Sequence, residues 1–464
     1  MNSILLTDSY KLEHKNQYPK GTTLVFSNFT PRSDNHAPEQ CKDNGVVVFG
    51  VQLMMKQLVE HFDKNFFKNH KRHSQSNNRQ DVVGKIYDEI LKQEVIEDIK
   101  SYLNPFTQTD FDTSGFEELW DLGYLPIEVR ALDEGTLCPM RVPMLTIHNT
   151  LPEFFWVTNY LETIMSTMLW KPMTSATIAH AYKKLIVSWA LKTDPENIDF
   201  TQWQGHDFSS RGLDSIDAII ASGLGHLVSF SGTDSLPPLW GARYFYGDTD
   251  FLAGSVVATE HSVICAGGKE DERGTFLRLL KTYPIGPLSV VSDTWDFWNV
   301  LTVILPSIKY EIMGRDGKLV IRPDSGDPVD IICGYEIIDD INDISIGNLK
   351  STLIKNKNGY FRIETTNENR HGYKLGEEVD YPEAKGAVEL LWDTFGGTVN
   401  EQGYKVLDSH IGLIYGDSIT LERCKQICER LEAKGFASTN VVFGIGSFTY
   451  QFNTRDTFGL VFSH

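Results

Sequence analysis

From residue 198 onward the chain repeats one unit: a short apolar run, a cluster of small, charged or histidine residues, then a helical pattern. No other feature constrains the fold as much. Strands joined through helices pair in parallel, and parallel sheets are covered on both faces. The runs predict buried strands at residues 198–203, 226–230, 255–258, 288–291, 319–321 and 411–415, with a further one from Val441. Each polar cluster therefore sits at a strand end, which is the ligand end of a parallel α/β fold. So many units favour a closed barrel over an open sheet.

Three clusters stand out between Trp203 and Ser262. They are Gln204-Gly205-His206-Asp207-Phe208-Ser209-Ser210-Arg211-Gly212, Ser231-Gly232-Thr233-Asp234-Ser235 and Ala258-Thr259-Glu260-His261-Ser262. A single histidine after a strand is more often a hydrogen-bonded structural residue than a catalyst. Three clusters on successive strand ends are harder to dismiss. Phe208 three residues before Arg211 offers an apolar face beside a planar cation, which suits a planar, electron-poor ring. Asp234 can accept a hydrogen bond from an amide on that ring, and His261 can meet an anion or move a proton.

The later strand ends carry a second group. Ser292-Asp293-Thr294-Trp295-Asp296 ends in paired carboxylates, Arg322-Pro323-Asp324 places a cation and an anion at one mouth, and Gly416-Asp417-Ser418 and Gly444-Ile445-Gly446-Ser447 are glycine turns. Half or more of such turns merely reverse the chain. Beside an arginine and several aspartates, these point to a sugar phosphate with a metal ion: carboxylates for hydroxyls and Mg²⁺, Arg and backbone N–H for phosphate.

The N-terminal part reads differently. Thr7-Asp8-Ser9-Tyr10-Lys11 leads to a strand-like 24–26, a strand-like 46–49 and a helix over 51–61, and Asp8 with Ser9 reads locally as a helix cap. Residues 64–80 read as a polar surface loop, 123–149 as β structure, and 153–169 and 176–192 as two helices. The looser stretch 331–404 reads as an insertion outside the barrel. The division expected is a smaller α+β domain at 1–150, joined by 452–464, and an α/β-barrel domain at 151–451. A balance of 43 basic against 62 acidic residues, net charge -19, argues against a nucleic-acid surface. Six scattered cysteines and the lack of a long apolar run predict a reduced, cytoplasmic protein with no membrane span. Cys424 and Cys428 share a helix face without the second pair that a zinc site needs.

These motifs, with Phe49-Gly50-Val51-Gln52, Trp156-Val157-Thr158-Asn159-Tyr160-Leu161-Glu162-Thr163 and Thr454-Arg455-Asp456, come in one order. In that order the chain resembles the nicotinamide phosphoribosyltransferases of the type II phosphoribosyltransferase family over about 1–330 and 405–457. The resemblance implies an irregular (β/α) barrel with a second, smaller α+β domain, and a homodimer with shared active sites. It also implies transfer of a phosphoribosyl group from 5-phosphoribosyl 1-pyrophosphate to nicotinamide. The base would lie between Phe208 and the partner's Tyr10, near Asp8 and Arg211, with Asp234 on the carboxamide. His261 would be the catalytic histidine, open to phosphorylation by ATP. Asp296 and Asp324 would serve ribose and Mg²⁺, and Arg32, Arg322 and Arg455 the phosphates. Gly416 and Asp417 would lie near the ribose, Gly446 and Ser447 at the 5-phosphate. The resemblance implies a phosphate-binding lysine where this chain has Ser463, and because the chain stops at His464 the C-terminal contribution to the smaller domain is expected to be truncated. The alternatives are a nicotinate phosphoribosyltransferase, disfavoured because Asp234 would face a second anion, and a binding or interaction protein that keeps the barrel but turns over weakly.

Overall fold

The computed structural model describes residues 1–68, 82–343, 346–366, 372–416 and 418–463. The reading of 64–80 as a loop falls mostly outside them. Near the N-terminus, β1 (Phe26–Pro31) is followed by helix α1 (Val51–Asn65), which buries Val51, Met54, Leu58 and Phe62 at helical spacing. The predicted strand at 24–26 is thus displaced toward Pro31. Strands β2 (Ile127–Ala131) and β3 (Leu145–Asn149) pair antiparallel, and β3 also pairs with β1. Next comes α2 (Glu162–Thr193), an unbroken helix where the sequence predicts two. Pro172 lies within it but is buried against Gly50, whose positive φ of 83° a side chain would resist.

The second sheet is parallel throughout. Its strands are β4 (Gly205–Asp207), β5 (Gly232–Thr233), β6 (Val257–Ala258), β7 (Leu288–Val291), β8 (Leu319–Arg322), β9 (Ile411–Tyr415) and β10 (Val441–Ile445). They lie in the order β5-β4-β10-β9-β8-β7-β6. The sheet is curled, and the segment before β6 approaches β5. Gly232 of β5 bridges Gly254, just before β6, through Thr233 N–H to the Gly254 carbonyl at 3.1 Å and Gly254 N–H to the Ser231 carbonyl at 2.9 Å. All residues of β7 and β9 are buried, as strands covered on both faces require. Between β4 and β5 runs α3 (Ile216–Leu227), N-capped by Ser215.

Two predicted strands are corrected. Residues 198–203 form the end of the 3-10 turn Pro195–Phe200 and the start of the helix Thr201–Gln204, with Thr201 and Gln204 buried at helical spacing. Residues 226–230 are the end of α3 and a turn in which Phe230 N–H returns to the His226 carbonyl and the two rings stack at 5.1 Å. The strands follow each apolar run and are short and polar.

Within the stretch read as an insertion, Glu336–Ile338, Thr352–Asn356, Gly359–Thr366 and Gly372–Val379 form a four-stranded sheet with its own small core around Tyr335, Leu353 and Val379. The helix Ala387–Phe395 instead joins the main core through Val388 and Leu391. Helix α4 (His261–Gly267) follows β6, α5 (Leu421–Ala433) follows β9, and α6 (Ser447–Gln451) follows β10. The final strand, β11 (Leu460–Ser463), returns to pair antiparallel with β1. One apolar cluster extends from Phe29 and Ile147 of the first sheet through α2 to Val290, Ile321 and Phe443 of the second. Among the described residues no helix is long and apolar enough to cross a membrane.

Candidate active site

Parallel pairing puts the C-terminal ends of all seven strands on one rim. Strand alternation then decides which side chains face the interior. His206 of β4 and Phe208, two residues on, share a face and their rings lie 4.7 Å apart. Asp207 points the other way, fully buried, and accepts from Ser209 N–H at 2.9 Å, Ser209 Oγ at 2.6 Å and Ser235 Oγ at 3.1 Å. It fastens the mouth of β4 to that of β5. His206 Nε2 meets Asp234 Oδ1 at 2.9 Å, and the Ser255 hydroxyl donates to the same oxygen. Burial alone would push the Asp234 carboxyl up. The bonds to His206 and Ser255 and the positive charge of Arg322 outweigh it and hold the group below the ordinary carboxylate range.

The cation over the Phe208 ring is Arg322, its guanidinium carbon 5.1 Å from the centroid. This corrects the pairing read from sequence: Arg211 lies in an exposed 3-10 turn, Ser210–Gly212. Gly212 of that turn packs so closely on Ser447 that any Cβ would collide. Phe208 N–H donates to the Ile445 carbonyl at 2.9 Å. The aromatic mouth of β4 thus adjoins the Gly446–Ser447 turn, where Gly446 precedes the short helix α6.

His261 opens α4, about half exposed, with Nε2 3.3 Å from Asp293 Oδ1. Asp293 is nearly buried, and its other oxygen accepts from Asp324 N–H at 2.9 Å and Ser325 Oγ at 2.5 Å. One carboxylate therefore fixes the β8 turn and faces the imidazole. Asp324 Oδ1 and Arg322 Nε are buried without hydrogen-bond partners, and Asp293 Oδ1 makes no well-formed bond. Gly416 lies against the first two, so that a Cβ there would approach Arg322 Nε to 2.6 Å. Asp296 is exposed and caps the helix Phe297–Asn299 through Oδ1 to Asn299 N–H at 3.0 Å. Asp417 lies outside the described residues.

Asp8, Tyr10, Arg32 and Arg455 form a separate group. Asp8 precedes the 3-10 turn Ser9–Lys11 but makes no side-chain cap there. Its carboxylate accepts from Thr163 Oγ1 at 2.6 Å and Tyr10 OH at 3.3 Å. Tyr10 is 65% exposed, and Arg455 opposes the rise in its pKa caused by burial and by Asp8. Arg32 donates to Ser463 Oγ at 3.1 Å. A cavity of about 900 Å³ inside the curled sheet is lined at the rim by His206, Phe208, Asp234, Ser255 and Arg322. Tyr10 and Arg455 are not among its lining residues.

Residues 203–463 match the nicotinate phosphoribosyltransferase (NAPRTase) family, and residues 2–104 match the nicotinamide phosphoribosyltransferase N-terminal domain. The chain belongs to the nicotinate phosphoribosyltransferase family. It is 42% identical over 468 residues to a nicotinamide phosphoribosyltransferase of Acinetobacter baylyi, covering 99% of this chain and 81% of that one. It is 32% identical over 474 residues to one of Mycoplasma pneumoniae, covering 100% and 88%. Similarity to the second spans both sheets. Membership in an enzyme family accounts for the polar rim as a reaction site.

Read from the sequence, His206 and Ser255 have no role of their own, and Asp293 is only one of a pair of carboxylates. All three lay inside or beside quoted motifs, and alternation from Phe208 was the signal for His206. Glu272, at the start of the helix Glu272–Thr282, lies outside the cavity but close enough to Asp296 to feel its charge. It is buried, Oε1 lacks a partner, and burial followed by Asp296 pushes its carboxyl up to about 7 against the pull of Lys269. The unfolded chain ionises this group near the ordinary value, so stability falls as pH rises from there to about 7 and then levels. Glu272→Gln is expected to raise Tm at pH 8 and leave it nearly unchanged at pH 4; equal shifts at both would contradict the raised pKa.

Proposed function

We propose that this chain transfers the 5-phosphoribosyl group from 5-phosphoribosyl 1-pyrophosphate to nicotinamide, giving nicotinamide mononucleotide and pyrophosphate, a salvage step toward NAD. The observation that carries the reading is Asp234, a carboxylate held ionised at the rim by His206 and Ser255 beside the Phe208 ring. It accepts from a carboxamide N–H and repels the carboxylate of nicotinate. The names of the relatives in Acinetobacter baylyi and Mycoplasma pneumoniae support the same choice.

In the reaction, the ring nitrogen's lone pair forms the bond to ribose C1 while the C1–O bond breaks and its electron pair leaves with pyrophosphate. Positive charge develops on the sugar and then on the ring. Phe208 on one side and the partner's Tyr10 on the other hold the base flat, with Arg211 and Asp8 nearby. Arg322, Arg32, the partner's Arg455 and the Gly446–Ser447 turn receive phosphates, and Gly416, Asp417 and Asp324 receive the ribose. Positioning and charge stabilisation do most of the work. His261, steadied by Asp293, faces the departing pyrophosphate, and ATP serves in this reading as a phosphoryl donor to it.

The residues fit Mg²⁺ as a shared ligand. Among the described residues no three His, Cys, Asp or Glu side chains gather to hold a metal alone. Asp293 and Asp324 each keep one buried oxygen without a well-formed hydrogen bond, beside His261 and Arg322, while Asp296 spends one on its helix cap. An ion held jointly with pyrophosphate oxygens suits that donor set and would neutralise leaving-group charge. Buried unpaired groups such as Arg322 Nε cost about 1–3 kcal/mol each, a cost that a bound ligand pairing with them would recover.

The reading includes closure of the curled sheet into an irregular (β/α) barrel, supported by the Gly232–Gly254 bridge. It includes the division into 1–150 with 452–464 and 151–451 with its insertion, supported by β11 pairing with β1. A cytoplasmic location accords with six free cysteines. The reading includes a homodimer, in which the exposed Tyr10 and Arg455 side chains would serve the partner's site.

Asp234→Ser should lower the preference for nicotinamide over nicotinate in kcat/KM by about 5- to 150-fold, the effect of a charge-assisted hydrogen bond worth ~1–3 kcal/mol. An unchanged preference removes Asp234 from base recognition. For the shared site, Tyr10→Ala and Phe208→Ala chains, each inactive alone, should regain activity when mixed and allowed to exchange subunits. Mixed dimers without activity would refute it.

A further inference from the structure

Tyr10 is 65% exposed, yet the lysine that follows it is almost fully buried. Both belong to the 3-10 turn Ser9–Lys11, closed by Lys11 N–H to the Asp8 carbonyl at 3.0 Å and Leu12 N–H to the Ser9 carbonyl at 3.2 Å. The Lys11 ammonium donates to Glu162 Oε2 at 2.7 Å and to Thr163 Oγ1 at 3.1 Å, both on the first turn of α2. Because Thr163 Oγ1 accepts from the ammonium, its own proton is free for Asp8 Oδ2, 2.6 Å away. The same Asp8 oxygen accepts from the Tyr10 hydroxyl at 3.3 Å and lies 4.0 Å from the ammonium. The bonds therefore run in one direction, from Lys11 through Thr163 to Asp8, where the Tyr10 hydroxyl meets them. The ammonium also lies 5.7 Å from the centre of the Tyr10 ring. A buried ion pair adds little stability over apolar side chains of the same volume. What this one adds is a fixed point beneath an exposed ring.

We propose that Lys11 is a positioning residue for the base: through Thr163 and Asp8 it holds the Tyr10 ring in the orientation that the partner's site uses. The inference rests on the reading that Tyr10 completes the partner's site. Lys11 itself, buried against α2, touches no substrate in it. Its loss is then felt in the site of the other subunit. A lysine that merely supports its own chain would instead damage the site of that chain, and mixed dimers tell the two apart.

The test uses full-length chains and reads KM for each substrate. Lys11→Met with Glu162→Met removes the pair without leaving a buried charge, and Thr163→Val breaks the same chain of bonds at nearly constant shape. Nicotinamide KM should rise about tenfold in the first and about threefold in the second, with donor KM within about twofold of the parent. Subunit exchange with excess Phe208→Ala chain should return nicotinamide KM to within about twofold of the parent, because the working site then takes Tyr10 from a chain whose Lys11 is intact. Exchange with Tyr10→Ala should not. An unchanged nicotinamide KM overturns the proposal, as does recovery with Tyr10→Ala in place of Phe208→Ala, the pattern of a residue that supports its own barrel. If the Lys11 variant is insoluble, Thr163→Val decides by the same pattern. Should Tyr10→Ala and Phe208→Ala form mixed dimers without activity, the shared site is refuted and this inference with it. Activity in those dimers with the wrong pattern for Lys11 overturns this inference alone, and a parent without transferase activity refutes the proposed function and the inference together.

Discussion

Parallel backbone pairing across seven strands is the constraint from which the site follows. Every pair in the second sheet runs the same way, so seven strand ends share one rim. Residues more than a hundred positions apart in sequence become neighbours there. Arg322 comes to lie over Phe208 because β8 and β4 face each other across a curled sheet. Antiparallel pairing would have scattered these mouths over two ends.

The rim is kept in a costly electrostatic state. Carboxylates that could have been solvated are instead assigned tasks: Asp207 joins two strand mouths, Asp293 fixes the β8 turn and faces His261, and Asp234 is held ionised by its neighbours. A few atoms are left over. Arg322 Nε and Asp324 Oδ1 are buried and unpaired within the same corner, and a ligand carrying phosphate, hydroxyls and a metal ion complements both signs at once.

Much of this was legible in the sequence where burial is achieved by apolar side chains. Residues 288–291 and 411–415 read as strands because they are apolar along their length and fully buried. Gly205–Asp207 and Gly232–Thr233 did not, since they are held by backbone pairing and side-chain hydrogen bonds, and the apolar runs beside them are helical. Phe208, Asp234 and His261 could be singled out because each sits in a motif. His206 and Asp293 sit in the same motifs, but with Ser255 they act by orienting those residues, and such partnerships are set by distances across the rim. The same holds for Arg211, whose sequence neighbour Phe208 is served instead by Arg322 from a distant strand.

A rim that joins nicotinamide to a phosphoribosyl group must choose that base over nicotinate. The most direct measurement incubates the purified chain with 5-phosphoribosyl 1-pyrophosphate, Mg²⁺ and equal concentrations of nicotinamide and nicotinate, and identifies the nucleotide by mass spectrometry. Nicotinamide mononucleotide is expected in large excess, with one pyrophosphate released for each. Nicotinate mononucleotide as the main product, or no nucleotide from either base, would contradict it.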